Sequence, residues 1–192
     1  DFTTENNKLT YLSPVFSGFQ IGASYTPEID ADNNDISGNG TDDDAGEFGD
    51  AYEVSARYEG QFDAVGFAIG AGYTTAELEA DGAGFDDDFE EWNAGLDLDF
   101  AAFGFGAAYS ENNNGSDADD SNETIVVGAD YTTGPYKLGV SWLNNDNDAF
   151  GEIDRYTGGV SYTYGPGMSF RGSVSFSDYD IDGAELTTLV NE

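Results

Sequence analysis

The chain has 192 residues, with 39 Asp and Glu against 5 Lys and Arg, a formal charge of −34, no Cys and no His. Without Cys there is no disulfide framework, thiolate nucleophile or thiolate zinc site, and without His there is no Ser-His or Asp-His catalytic pair and no imidazole metal ligand. Five scattered basic residues cannot neutralise a phosphate backbone, so a nucleic-acid partner is excluded.

The chain opens DFTTENNKLTY, with neither a basic start nor an apolar core, and is expected to be a mature, trimmed or partial sequence. No apolar run approaches the roughly 18 residues that a spanning helix needs. Instead, segments of about ten residues alternate apolar or aromatic side chains with Gly, Ser, Thr and charge, the period of a strand with two unlike faces. In chain order the expected strands are 8 to 13, 18 to 27, 51 to 59, 64 to 75, 91 to 99, 102 to 110, 123 to 132, 136 to 144, 154 to 164 and 167 to 178. They make five hairpins. Short connections (13 to 17, 60 to 63, 100 to 101, 133 to 135, 165 to 166) alternate with long ones, and 31 of the 39 acidic residues fall in the stretches 28 to 50, 76 to 91, 111 to 123, 144 to 154 and 178 to 192. The last stretch reads as a loop.

One register is apolar: Phe19, Ile21, Ala23 and Tyr25; Val65, Phe67, Ile69, Ala71 and Tyr73; Trp92, Ala94, Leu96, Leu98 and Phe100. It continues through Phe103 to Tyr109, Ile125 to Tyr131, Tyr136 to Trp142 and Phe170 to Phe176. A soluble β-sandwich would turn this set inward. Three features turn it outward. Aromatics close the rows at both ends, with Tyr25, Tyr73, Tyr109 and Trp142 toward the long loops and Tyr58, Phe100, Tyr131 and Tyr164 toward the short turns, as in two interfacial girdles. A row such as Val65 to Tyr73 climbs about 20 to 25 Å if tilted by about 40°, near the apolar band of an outer-membrane barrel. All five basic residues, Lys8, Arg57, Lys137, Arg155 and Arg171, occupy the other register, together with Glu53, Glu59, Asp97, Asp99 and Asp130. Since a cation on a lipid face costs roughly 2 to 4 kcal/mol at mid-depth, these ten residues are assigned to a polar lumen.

Residues 9 to 27, LTYLSPVFSGFQIGASYTP, and 158 to 168, GGVSYTYGPGM, resemble hairpins of Gram-negative general porins, in particular the alphaproteobacterial, Rhodobacter-like type. The resemblance implies an all-β antiparallel transmembrane β-barrel in the cell outer membrane. Residues 1–192 would form one partial barrel domain with short periplasmic turns and long acidic extracellular loops. Such porins carry about sixteen strands and close on a terminal aromatic, so ten strands ending at Leu189-Val190-Asn191-Glu192 imply a segment lacking N-terminal strands and the closing strand. Passive diffusion of small hydrophilic solutes and ions follows, with a homotrimer set in lipid bilayer and lipopolysaccharide. Arg57, Arg171 and Lys8 are expected on the basic side of the constriction, Lys137 near the turn rim and Arg155 near the long-loop rim. The small row Ala64, Gly66, Ala68, Gly70 and Gly72 is expected to receive an inward-folded loop.

Two other readings remain. Asp178, Asp180 and Asp182, followed by Gly183, have the spacing of a calcium loop, although its twelfth position is Leu189 rather than a bidentate Glu. No cofactor is required, and Ca2+ is a candidate in the acidic loops. The alternative to a porin is a secreted, calcium-stabilised all-β adhesin or surface-layer module. An enzyme ranks low, because the many carboxylates stand without His or a positioned nucleophile.

Overall fold

The computed structural model describes residues 7–27, 29, 48–79, 87–116, 121–148, 151–181 and 184–191, the last run and residue 181 by their backbone only. Eleven strands follow one another in a single sheet in chain order. They are β1 (Leu9–Leu12), β2 (Phe19–Thr26), β3 (Phe48–Phe62), β4 (Val65–Leu78), β5 (Phe89–Phe100), β6 (Phe103–Asn112), β7 (Asn122–Thr133), β8 (Tyr136–Asn147), β9 (Gly151–Gly165), β10 (Met168–Ile181) and β11 (Ala184–Asn191). Among the described residues no helix is long and apolar enough to cross a membrane. The ten expected strands are all present, and β11 joins them.

β11 corrects the reading of 178 to 192 as a loop. AELTTLVN shows no clean apolar alternation, so nothing in its side chains marked a strand, yet its backbone pairs with β10 from Ile181↔Ala184 to Val174↔Asn191. The same effect extends β3, β4, β5 and β9 beyond their expected ends toward the long loops. There the clean apolar alternation has ended: the added ends of β3, β4 and β5 carry Phe48, Ala76, Leu78 and Phe89 of a small buried cluster, and ladder hydrogen bonds keep the chain extended.

Local chemistry sets the turns. Pro14 cannot donate to a ladder, so β1 stops at Leu12, and Ser13 makes the last rung through Ser13 N to Ile21 O at 2.9 Å. Phe16 and Phe19 exchange both backbone hydrogen bonds around Ser17 (φ 50°) and Gly18 (φ 87°), two consecutive left-handed residues of the kind that suits strand twist. Pro166 followed by Gly167 (φ 74°) supplies the residue pair of a type II turn between β9 and β10.

The chain divides into two compact units. Residues 1–58, 70–93 and 111–121 form the first, which contains the described buried apolar cluster of Ile29, Phe48, Ala51, Ala76 and Phe89, with Leu78 against it. Residues 59–69, 94–110 and 122–192 form the second, including all of β7 to β11. In both, the apolar register is uncovered. Phe19, Ile21 and Val54 in the first unit are about half exposed, as are Phe105 and Leu138 in the second, while Val140 and Phe170 each reach 65% exposure. A sandwich would have buried this set.

Candidate functional site

Pairing across β7 to β10 places the polar register in rows. The row beside the short turns is Thr132–Lys137–Ser161–Arg171, followed by Asp130–Gly139–Gly159–Ser173, then Gly128–Ser141–Thr157–Ser175, then Val126–Leu143–Arg155–Ser177. Because side chains in one cross-strand row share a face, Lys137 and Arg171 flank the Ser161 hydroxyl. An open trough of about 730 Å³ runs along this surface, bringing Asp97, Asp130, Lys137 and Arg171 together with Ser141, Thr157, Ser161 and Ser173. Its floor is glycine: Gly106, Gly128, Gly139 and Gly159.

Charge is segregated along the trough, with acids on β5 and β7 and cations on β8 and β10. Lys137 Nζ lies 3.2 Å from Asp130 Oδ1 and stays 59% exposed. Among the described residues Arg171 has no hydrogen-bond or ion-pair partner, and it is exposed. Arg155 is elsewhere, donating from Nε to Ser177 Oγ at 3.2 Å.

The first unit has a smaller hollow of about 220 Å³ around Lys8, Thr10, Ser24, Glu53, Ser55, Thr74 and Asn93. Glu53 pairs with Lys8 and accepts a hydrogen bond from Ser24 Oγ. Arg57 stands opposite Gln20, exposed, and Glu59 is exposed farther along β3. Of the ten residues assigned from sequence, four therefore meet in the large trough and Lys8 with Glu53 in the small one. Arg57, Glu59, Asp99 and Arg155 line neither hollow.

The small row has neighbours of its own. A Cβ at Gly72 would come within 3.0 Å of Asn93 Oδ1, and one at Gly66 within 3.7 Å of Asp99 Cβ. Elsewhere, Gly104 lies under the Asp130 carboxylate and Gly106 under that of Asp97. Missing side chains on one strand make room for polar side chains of the next to lie flat on the wall. The serines, Thr157 and Asn93 of both hollows were not singled out from sequence, and their signal was position alone: a short polar residue in the register of the cations.

On the opposite register the belts are also in rows. Tyr136–Tyr162–Phe170 border the short turns and Trp142–Tyr156–Phe176 lie six residues away, about 20 Å along the strands. The Tyr136 and Tyr162 rings stack at 4.8 Å, Phe103 meets Tyr131 at 4.9 Å, and in the first unit Tyr25 meets Tyr52 at 5.1 Å. Polar tips point to carboxylates. Tyr25 Oη donates to Asp50 at 2.9 Å, Tyr73 Oη to Glu90 at 2.8 Å and Trp142 Nε1 to Asp154 at 2.7 Å.

The calcium-loop spacing falls differently from the sequence reading. β10 continues through Asp178 and Asp180, which are in extended backbone opposite Asp154 and Glu152, and Asp182 lies outside the described residues. An extended strand sends alternate side chains along one face rather than converging them on an ion. Among the described residues no three acidic side chains group as metal ligands.

An antiparallel sheet that is aromatic-belted and apolar on one face, polar and glycine-floored on the other, defines the wall of a transmembrane β-barrel protein. The Gram-negative porin family matches residues 1–182, and the chain belongs to that family, whose members are outer-membrane proteins. Among solved structures, an anion-selective porin from Comamonas acidovorans is 18% identical, with a TM-score of 0.69 over 91% of this chain and 49% of that one. A porin refined at 1.8 Å resolution is also 18% identical, with a TM-score of 0.64 over 95% of this chain and 60% of that one. A loop L8 deletion mutant of OmpT, an outer membrane protein of Vibrio cholerae, is 13% identical, with a TM-score of 0.53 over 96% and 61%. This chain thus spans about half to three fifths of the porins it resembles. No curated protein matches it. Nothing in these comparisons supports the adhesin alternative.

Proposed function

We propose that the chain forms part of the wall of an outer-membrane channel through which small hydrophilic solutes and ions pass by passive diffusion, without catalytic chemistry. The channel assembles as a homotrimer in a bilayer bearing lipopolysaccharide. One observation carries this: between the aromatic belts, every charged side chain of the described strands lies in the register opposite the exposed apolar one. Lipid on one side and water on the other satisfy both faces, whereas water on both sides would leave an apolar face far larger than a soluble monomer exposes.

The ten charged residues then line the lumen, with Arg57, Arg171 and Lys8 contributing to its cationic side. Outside the belt, the outward carboxylates Glu152, Asp154, Asp178 and Asp180 meet the headgroup zone, where divalent cations bridge them diffusely to lipopolysaccharide phosphates. The full-length protein carrying this chain, reconstituted in planar bilayers, is expected to give stepwise conductance, and replacing Arg57 and Arg171 with Ser to move the reversal potential toward cations. An unchanged reversal potential would remove them from the conducting wall. Monodispersity without detergent or lipid would end the channel reading.

A further inference from the structure

We propose that the row Lys137–Ser161–Arg171 is a seat for a small oxyanion, inorganic phosphate or the carboxylate of a passing solute, at the short-turn end of the polar face. The proposal rests on the channel reading above and adds to it a defined stopping point.

The register supplies the geometry. Lys137 is directly opposite Ser161, and Ser161 directly opposite Arg171. With adjacent strands about 4.8 Å apart, the two cationic Cα atoms stand about 10 Å from each other with a hydroxyl midway. An ammonium stem and a guanidinium stem can converge over Ser161 on one ion from opposite sides. The three groups offer complementary contacts: a planar fork matching two oxygens, a hydroxyl donor and a point charge. Neither Arg171 nor the Ser161 hydroxyl is engaged with another described residue, so both are available without breaking a contact. The glycine floor next to the row, Gly139 and Gly159, leaves the space above it open.

The opposing charges decide how strong the seat is. Asp130 is diagonal to Lys137 and holds it at 3.2 Å, so the lysine is shared between the carboxylate and the incoming anion. Asp97 stands three strands from Lys137 in the sheet order, about 14 Å away and beyond the Debye length of about 8 Å at physiological salt. Its repulsion is screened, and Asp130 is the one competitor of consequence lining the trough. Exposed contacts of this kind give weak, rapidly exchanging binding, on the order of millimolar, which suits a step along a path.

The test uses the full-length protein in planar bilayers in about 0.1 M KCl, with inorganic phosphate added from the short-turn side. Phosphate is expected to lower the conductance saturably with a half-effect on the order of millimolar. Arg171→Gln should raise that concentration about tenfold, and Asp130→Asn, which frees Lys137, should lower it several-fold. Acetate in place of phosphate separates a seat that takes any carboxylate from one that needs a third oxygen. An open channel indifferent to both anions, or equally sensitive in the native protein and in Arg171→Gln, overturns the seat and leaves the channel standing. Absence of conductance counts against the channel alone. Phosphorus NMR line broadening by phosphate on the detergent-folded protein then decides the seat: broadening lost in Arg171→Gln supports it, and broadening kept refutes it.

Discussion

Val140 and Ser141 are consecutive residues of β8 on opposite faces, which makes them a matched pair for testing the inside-out assignment. Val140 lies between Tyr136 and Trp142, the belt residues of its strand, and is 65% exposed. Ser141 faces the trough beside Gly128 and Thr157. If the apolar face meets hydrocarbon, Val140→Lys carries an ammonium to mid-depth at a cost of roughly 2 to 4 kcal/mol. The nearer belt is Trp142, two residues and about 7 Å along the strand, which is close to the reach of a lysine stem, so snorkelling brings the cost toward the lower end of that range. At 1.36 kcal/mol per decade, that is roughly 30- to 900-fold in the folding equilibrium. Ser141→Lys adds the same group one residue away, but in water, and should change stability by less than about 0.5 kcal/mol. It should also shift reversal potential toward anions. Reversible denaturant titration in phospholipid vesicles, followed by tryptophan fluorescence, measures both. Equal costs, or a larger one for Ser141→Lys, would refute the reasoning, because no placement of the bilayer could then produce the observed partition of charge.

Three further perturbations act on single contacts. Ala101, in the two-residue turn between β5 and β6, has φ 56°, so Ala101→Gly should stabilise the protein by about 1 kcal/mol in the same titration; a loss would mean that the left-handed backbone is not strained there. Trp142→Phe keeps the ring in the belt but removes the 2.7 Å donor to Asp154, and about 1 to 2 kcal/mol of destabilisation is expected, moderated because Asn144 Nδ2 also reaches that carboxylate at 3.4 Å. Glu53→Gln withdraws the carboxylate shared by Lys8 and Ser24, costing about 1 kcal/mol and moving reversal potential toward anions. An unaltered potential would place Lys8 outside the conducting path.

Periodicity made most of the architecture legible, because one apolar register recurred with the same phase on strand after strand. It failed where that signal ends. β11 is held by pairing with β10, and an AELTTLVN segment carries no face preference that could announce it. The spacing of Asp178, Asp180 and Asp182 copies that of an ion-binding loop, but the β9–β10 ladder runs through Asp178 and Asp180 and fixes an extended backbone there. The site was legible in kind and not in arrangement. Alternation placed Lys137 and Arg171 on one face, whereas their meeting in one row around Ser161 depends on the register of β8, β9 and β10, which turn geometry sets and a single strand's pattern cannot give. Arg155 has the same alternation but stands three rows away, with Ser177.

The acidity itself follows from the belts. A Tyr or Trp at the edge of an apolar band presents a polar tip that needs a partner as it leaves hydrocarbon. On β2, β4 and β8 that partner is a carboxylate of a neighbouring strand: Asp50 for Tyr25, Glu90 for Tyr73, Asp154 for Trp142. Placing a full negative charge there is tolerable only where water and cations reach it, so each pair marks the boundary at which the strand passes from lipid to headgroups. Beyond it, hydrocarbon no longer requires the outward face to be apolar, and that register turns polar, as its successive rows Asn144–Asp154–Asp178 and Asp146–Glu152–Asp180 show. Among the described residues, carboxylates therefore gather beyond the belts, while the strands between the belts hold a few charges of both signs in the register opposite the apolar one. The aromatic rows and the acidic stretches, which look like separate peculiarities of composition, are two sides of a single interface.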